Sequence, residues 1–136
     1  MTTPTTYTLL LWGDPDACDD LAAAYAAHDR FTQECAAQGH EILGGEELTS
    51  PTTARVLRVG AGGSEVTDGP FAELTEQLGG FYLVRTSDPE GLLRLAAPLV
   101  MDEVGGGTLE LRAVVAHRAG DEAGDEASVA RAGAVG

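Results

Sequence analysis

The stretch Asp68-Gly69-Pro70-Phe71-Ala72-Glu73-Leu74-Thr75-Glu76-Gln77-Leu78-Gly79-Gly80-Phe81-Tyr82-Leu83-Val84 decides how the rest of the chain is read. Gly69 precedes a proline and is pushed towards extended geometry, while Pro70 fixes its own φ and suits the first position of a helix. Leu74 and Leu78, four apart, give a short helix one apolar face. Gly79 and Gly80 then stand where a left-handed cap would stop that helix, and Phe81 to Val84 leaves as a strand. The expectation is helix, break and buried strand in close succession.

Outward from there, the chain reads as one domain. Residues 1–6 are Thr-rich and read as a flexible N-terminus. Tyr7 to Trp12 (YTLLLW) is a continuous apolar run of strand length, as expected of a central strand buried on both faces. Asp14 before Pro15 is a plausible N-cap for a long helix ending near Gln38, with Gly39 as its stop. The inward stripe of that helix is Leu21, Ala24, Tyr25, His28, Phe31 and Cys35, at spacings of three and four. Glu41–Leu48 and Ala54–Val59 read as strands about a Thr-Ser-Pro-Thr turn, and Ser64–Thr67 returns from a glycine-rich tip. Asp88 and Pro89 start a second helix, which Pro98 should kink or end. Thr108–Val115 is a last, alternating strand. Residues 117–136 are Ala, Gly, Asp and Glu with little to bury, and read as a disordered tail. Leaving out the hairpin at 54–67, the order is strand, helix, strand, strand, helix, strand. That is the split βαβ plan of a ferredoxin-like α+β fold, with both helices on one face of an antiparallel sheet. The other face would need a cover, most simply a second copy of the chain.

With the DGPF turn, the double glycine and the apolar strand in register, the opening stretch resembles the signature of the YCII-related family, also called the DGPF-domain family. The likeness extends from about Tyr7 to Val115, and we take 7–116 as the domain. It implies a dimeric α+β barrel in which two sheets pack face to face. It also implies a histidine on the first helix pairing with an aspartate as an acid/base dyad, and His28 matches that position, with Phe31 following. In many such chains the acid lies in an Asp-Pro-Tyr motif after the last helix. Here Pro98-Leu99-Val100-Met101-Asp102 stands in its place, so the motif is absent. Proteins resembling this one are often linked with extracytoplasmic-function sigma factors, which implies a regulatory partner.

Composition narrows the functions. The net charge is −14, from 22 acids against 8 bases, all of them Arg. Phosphate backbones and anionic lipid repel such a chain, so neither nucleic acid nor membrane is an expected partner. The absence of Lys removes Schiff-base chemistry and the phosphate-loop lysine. No run of apolar residues is long enough to span a bilayer. Met1 to Thr6 has neither a basic segment nor an apolar h-region, so a cytoplasmic protein is expected. Cys18 and Cys35, placed on one helix, would lie roughly 25 Å apart, too far for a disulfide. His28, His40 and His117 have no metal-ligand spacing, and no glycine run opens a helix as a phosphate cradle, so no metal or cofactor is expected.

His28 and Asp68 are the candidate catalytic pair. His28 points from an apolar stripe towards the sheet, as either a packing residue or a general acid/base. Asp68 either caps its turn or supplies the acid. Trp12, Tyr25, Phe71, Phe81 and Tyr82 are candidate pocket residues, with core packing as the alternative. Three roles follow. The first is a small-molecule enzyme of lyase or isomerase type using His28. The second is a non-catalytic ligand binder, and the third is an interaction module for a regulatory partner.

Overall fold

The computed structural model describes residues 3–101 and 106–116. In chain order its elements are β1 (Thr5–Gly13), α1 (Leu21–Gln38), β2 (Glu41–Glu47), β3 (Arg55–Gly60), β4 (Gly63–Asp68), β5 (Gln77–Thr86), α2 (Pro89–Ala96) and β6 (Gly107–Ala113). Short 3-10 turns at Pro51–Thr53 and Ala97–Val100 complete the set. The tail at 117–136, with His117, and Asp102 lie outside the described residues.

The apolar run at 7–12 does become a central strand. β1 pairs antiparallel with β5 on one side and β6 on the other, and β2 adds to the far edge of β5, giving the order β2-β5-β1-β6. Period-two alternation sorts the side chains. Leu9 and Leu11, Tyr82 and Val84, and Leu109 and Leu111 face both helices, where Phe31, Cys35, Leu92, Ala96 and Leu99 close the core. Leu9, Leu92, Val84 and Cys35 are fully buried. Burying each leucine stabilises the fold by about 1.5–3 kcal/mol. The opposite face of the sheet presents Leu10, Leu78, Phe81 and Leu83, and neither helix covers it. Trp12 lies there too, its indole Nε1 donating to Glu110 Oε1 at 3.1 Å. This is an α+β domain built on an antiparallel sheet and two helices.

Several boundaries differ from the sequence reading, each for a physical reason. The N-terminus is ordered from Thr5, because Thr5 and Thr6 pair with Thr86 and Arg85. α1 starts at Leu21, not near Asp14. Asp14 Oδ1 accepts from the Asp16 N–H at 2.9 Å in a local turn, and Asp20 is the true N-cap, accepting from Ala23 N at 3.0 Å. An Asp-rich segment satisfies its own backbone and so competes with the helix. Cys18 therefore sits on the loop before α1, and both thiols are free. The helix ends as expected at Gly39, whose φ of 83° is left-handed.

The short helix expected from Pro70 to Leu78 does not form. Gly69–Pro70 is a cis peptide, residues 71–76 are irregular, and β5 draws Leu78, Gly79 and Gly80 into the sheet. Leu78 pairs with Trp12 and Gly80 with both Leu11 and Glu47, while a bulge between Leu11 and Trp12 absorbs Gly79. A helix this short has little to set against its nucleation cost, and the two-sided ladder wins. Leu74 and Phe71 are left exposed, at 59% and 71%. β3 and β4 form a separate two-stranded ribbon, which Gly69 N joins to Ala54 O at 2.6 Å. None of the helices among the described residues is long and apolar enough to cross a membrane.

Candidate functional site

A cleft of roughly 860 Å³ opens where the first half of α1 overhangs the ends of β1, β2 and β5. Its volume is of the size small-molecule sites take. The expected inward stripe of α1 divides here. Ala27, Phe31 and Cys35 are buried in the core, whereas Leu21 and Tyr25 are exposed and line the cleft with Ala24 and His28. The sheet ends beneath the first turns of the helix, so those turns face a space instead of a packed layer.

His28 Nδ1 lies 2.6 Å from the Tyr82 hydroxyl. The Tyr82 ring is wedged between His28 and Phe31, with centroids 5.8 Å and 5.0 Å away. Gly45, opposite Tyr82 in the β2–β5 ladder, leaves room for that ring. A Cβ there would stand 2.9 Å from Tyr82 Cδ1 and 2.6 Å from the Phe81 carbonyl oxygen. Two residues further along the same face of β2, Glu47 accepts a hydrogen bond from the Tyr25 hydroxyl at 3.1 Å. Tyr25 and His28 are one turn apart on α1, so two helix residues meet two strand residues across the cleft.

Electrostatics follow from that placement. Partial burial lowers the His28 pKa below its ordinary value, with Glu47 and Asp29 opposing the shift through their negative charge. The ring is therefore neutral at neutral pH. Burial, ahead of the charges of Cys35 and Asp29, raises the Tyr82 pKa, so Tyr82 stays a phenol that can donate or accept. The hydrogen bond to Glu47, reinforced by its charge, raises that of Tyr25. Within the His28–Tyr82 pair two proton arrangements are open. If Tyr82 donates to Nδ1, Nε2 carries the ring proton and is an acid. If Nδ1–H donates to Tyr82, Nε2 has a free lone pair and is a base.

Of the residues singled out in the sequence, Trp12, Tyr25, His28, Phe81 and Tyr82 line this cleft. Asp68 and Phe71 do not. Asp68 is at the end of β4 beside Arg55 Nε at 3.4 Å, with 86% of its side chain exposed. Phe71 stacks under the Arg58 guanidinium at 5.3 Å, and Arg58 Nη2 donates to its carbonyl oxygen at 2.9 Å. The hydrogen-bond partner of His28 is thus a tyrosine of its own chain. Glu47 went unnoticed in the sequence, although Gly45 and Glu47 two apart on a strand mark one face. Among the described residues no three His, Cys, Asp or Glu side chains cluster to hold a metal ion.

The fold and the signature define the class. The YCII-related domain family matches residues 5–116, and the chain belongs to that family. It is similar to uncharacterized protein R00369 of Rhizobium meliloti (strain 1021), with 38% identity over 74 residues. The matched segment covers 54% of this chain and 60% of that relative's length.

Proposed function

We propose that this chain is a homodimeric small-molecule protein whose chemistry, of lyase or isomerase type, is proton transfer at His28 Nε2. The observation that carries the reading is the 2.6 Å contact of His28 Nδ1 with Tyr82 at the wall of a cleft open to solvent. Neutral His28 accepts a proton from an acidic C–H or O–H of the bound molecule, and the resulting imidazolium holds Nδ1–H against the Tyr82 oxygen. In an isomerase the same proton returns at a neighbouring atom. In a lyase it leaves as the electron pair expels a group from the adjacent carbon. Of the two residues expected to form an acid/base dyad, His28 is retained and Tyr82 takes the place of Asp68 in the reading.

The strand order β2-β5-β1-β6 supports a ferredoxin-like plan in which β3 and β4 are an inserted hairpin. The uncovered face with Leu10, Trp12, Leu78, Phe81 and Leu83 supports a dimer with two sheets face to face, as in a dimeric α+β barrel. A specific observation favours a second reading, a regulatory partner such as an extracytoplasmic-function sigma factor. The β3–β4 ribbon, a sheet of its own, exposes Leu57 (54%), Val59 (77%) and Val66 (55%).

The test is hydrogen exchange. A panel of small carbon acids in D2O, followed by proton NMR, should show exchange at one substrate position with the wild type. His28→Gln should slow it by about 10²–10⁴-fold. Equal exchange in both proteins for every substrate that exchanges would remove His28 from the chemistry.

A further inference from the structure

The β3–β4 ribbon is a sheet left unfinished. β3 and β4 pair with each other and with no other strand among the described residues. A two-stranded ribbon is marginal in water until a third strand or an apolar layer is added. Its outer edges are open, as are the β2 and β6 edges of the main sheet. Charge separates these four edges. β3 (RVLRVG) carries Arg55 and Arg58 and no acid, and both are exposed. β2 (EILGGEE) carries Glu41, Glu46 and Glu47 and no base, and all are exposed. β4 carries Glu65 and Asp68, and β6 sets Glu110 against Arg112. Two copies of β3, or two of β4, would place like charges opposite each other, which destabilises a strand pair. β3 against β4 of another copy matches in charge but runs head to tail and does not close. β3 against β2 matches in charge and closes around a two-fold axis, each copy giving one ribbon and receiving one. Within one chain the turn at Pro51–Thr53 leads β3 into the separate ribbon, so the acceptor is a second copy.

We infer that β3 of one copy adds antiparallel to the β2 edge of a second copy, main chain to main chain, so that each ribbon extends the other copy's sheet. This rests on the homodimer proposed above and names a contact within it. With Arg55 opposite Glu47, the register sets Val56 opposite Glu46, Leu57 opposite Gly45 and Arg58 opposite Gly44, and the bulge after Ile42 ends the ladder. Gly45 and Glu47 share the face of β2 that borders the cleft. Arg55 of the second copy therefore meets Glu47 at the cleft wall, and its Leu57 borders the Tyr82 ring across Gly45. On the other face Arg58 comes within diagonal reach of Glu46. The cleft beside His28 is completed by residues of the second copy.

The test is amide hydrogen exchange of β2, with light scattering for mass, on the full-length chain. In the wild-type dimer the β2 amides that point away from β5 should exchange at least about tenfold more slowly than in Arg55→Glu/Arg58→Glu. Glu46→Arg/Glu47→Arg leaves the ribbon untouched and should lose the same protection. The chain with all four substitutions, its charges exchanged between the two edges, should regain it. A dimer whose β2 amides exchange equally fast in the wild type and Arg55→Glu/Arg58→Glu overturns the ribbon exchange. The sheet-face dimer then still stands, and the ribbon returns to the regulatory reading. A monomeric wild type overturns both the exchange and the dimer. Protection that survives in both two-residue variants, or that fails to return when the charges are exchanged, overturns the charge match that selects β2.

Discussion

His28 Nδ1 and the Tyr82 hydroxyl are 2.6 Å apart, and none of the hydrogen bonds of the described residues joins His28 to a carboxylate. An Asp partner would favour the charged ring, whereas a phenol brings no charge, so the partial burial of His28 lowers its pKa and the pair can switch tautomer. The site thus depends on what keeps the Tyr82 ring in place: Phe31 on one side and the missing side chain of Gly45 on the other.

Gly45→Ala should therefore be disproportionately harmful for a strand substitution. The new Cβ would meet the Phe81 carbonyl oxygen at 2.6 Å and the Tyr82 ring at 2.9 Å, so the strands must part or the ring must swing. We expect about 1–3 kcal/mol of lost stability in urea unfolding, together with displaced His28 and Tyr82 NMR signals. Gly44→Ala next to it, where a Cβ meets nothing within 4 Å, is the control and should do neither.

Leu9→Ala and Leu92→Ala each empty a fully buried position between helices and sheet. Each should cost about 2–5 kcal/mol, read from chemical denaturation. A loss below about 1 kcal/mol at both would mean that the helices do not pack on this face of the sheet.

The two thiols should separate cleanly. Burial, with the charge of Glu34 adding to it, pushes the Cys35 pKa up to about 11, and its side chain has no solvent exposure. Cys18 lies on the loop before α1 and lines the cleft. A thiol reagent at mildly alkaline pH should modify Cys18 alone in the native protein and both after denaturation. Fast native modification of Cys35 would contradict the core as described.

Acid should weaken the fold partly through His28. Its folded pKa is lowered, so below the ordinary histidine value of about 6.5 the unfolded chain binds the proton more readily. The stability that neutral His28 confers is present above about pH 6.5 and is lost as pH falls towards the folded pKa. Urea midpoints measured across that interval should fall less steeply in His28→Gln than in the wild type.

Placing a charge on the uncovered sheet face tests the proposed dimer. Phe81→Asp and Leu83→Asp should give monomers by light scattering if that face is an interface. Unchanged mass in both would move the interface elsewhere.

Much of this was legible in the sequence where patterns are long. The apolar run at 7–12 gave the central strand, the three–four stripe gave α1, and Asp88-Pro89 gave the start of α2 with its cap. Local signals failed where tertiary pairing outweighed them. Pro70, Leu74 and the double glycine look like a short helix, yet a ladder on both sides claims Leu78 to Gly80 for β5. Asp14 looked like a cap, but four aspartates in seven residues offered the backbone several partners, and Asp20 was the one in position. In the site, His28 and the aromatic residues could be found from helix and strand faces. The pairing of His28 with Tyr82 could not, because two residues 54 apart in the chain meet only once the sheet register is known. Asp68 belongs to a motif whose visible contact is a surface ion pair with Arg55.

The most direct measurement is an NMR titration of the His28 ring in the wild type, Tyr82→Phe, Glu47→Gln and Asp68→Asn. A neutral pair facing Glu47 predicts a midpoint below about 6.5, lower still in Glu47→Gln and unmoved in Asp68→Asn. Tyr82→Phe should change the tautomer balance, read from the two ring nitrogen shifts. A midpoint at or above about 6.5 that falls in Asp68→Asn would contradict this account and place the carboxylate of Asp68, not the phenol of Tyr82, against the histidine.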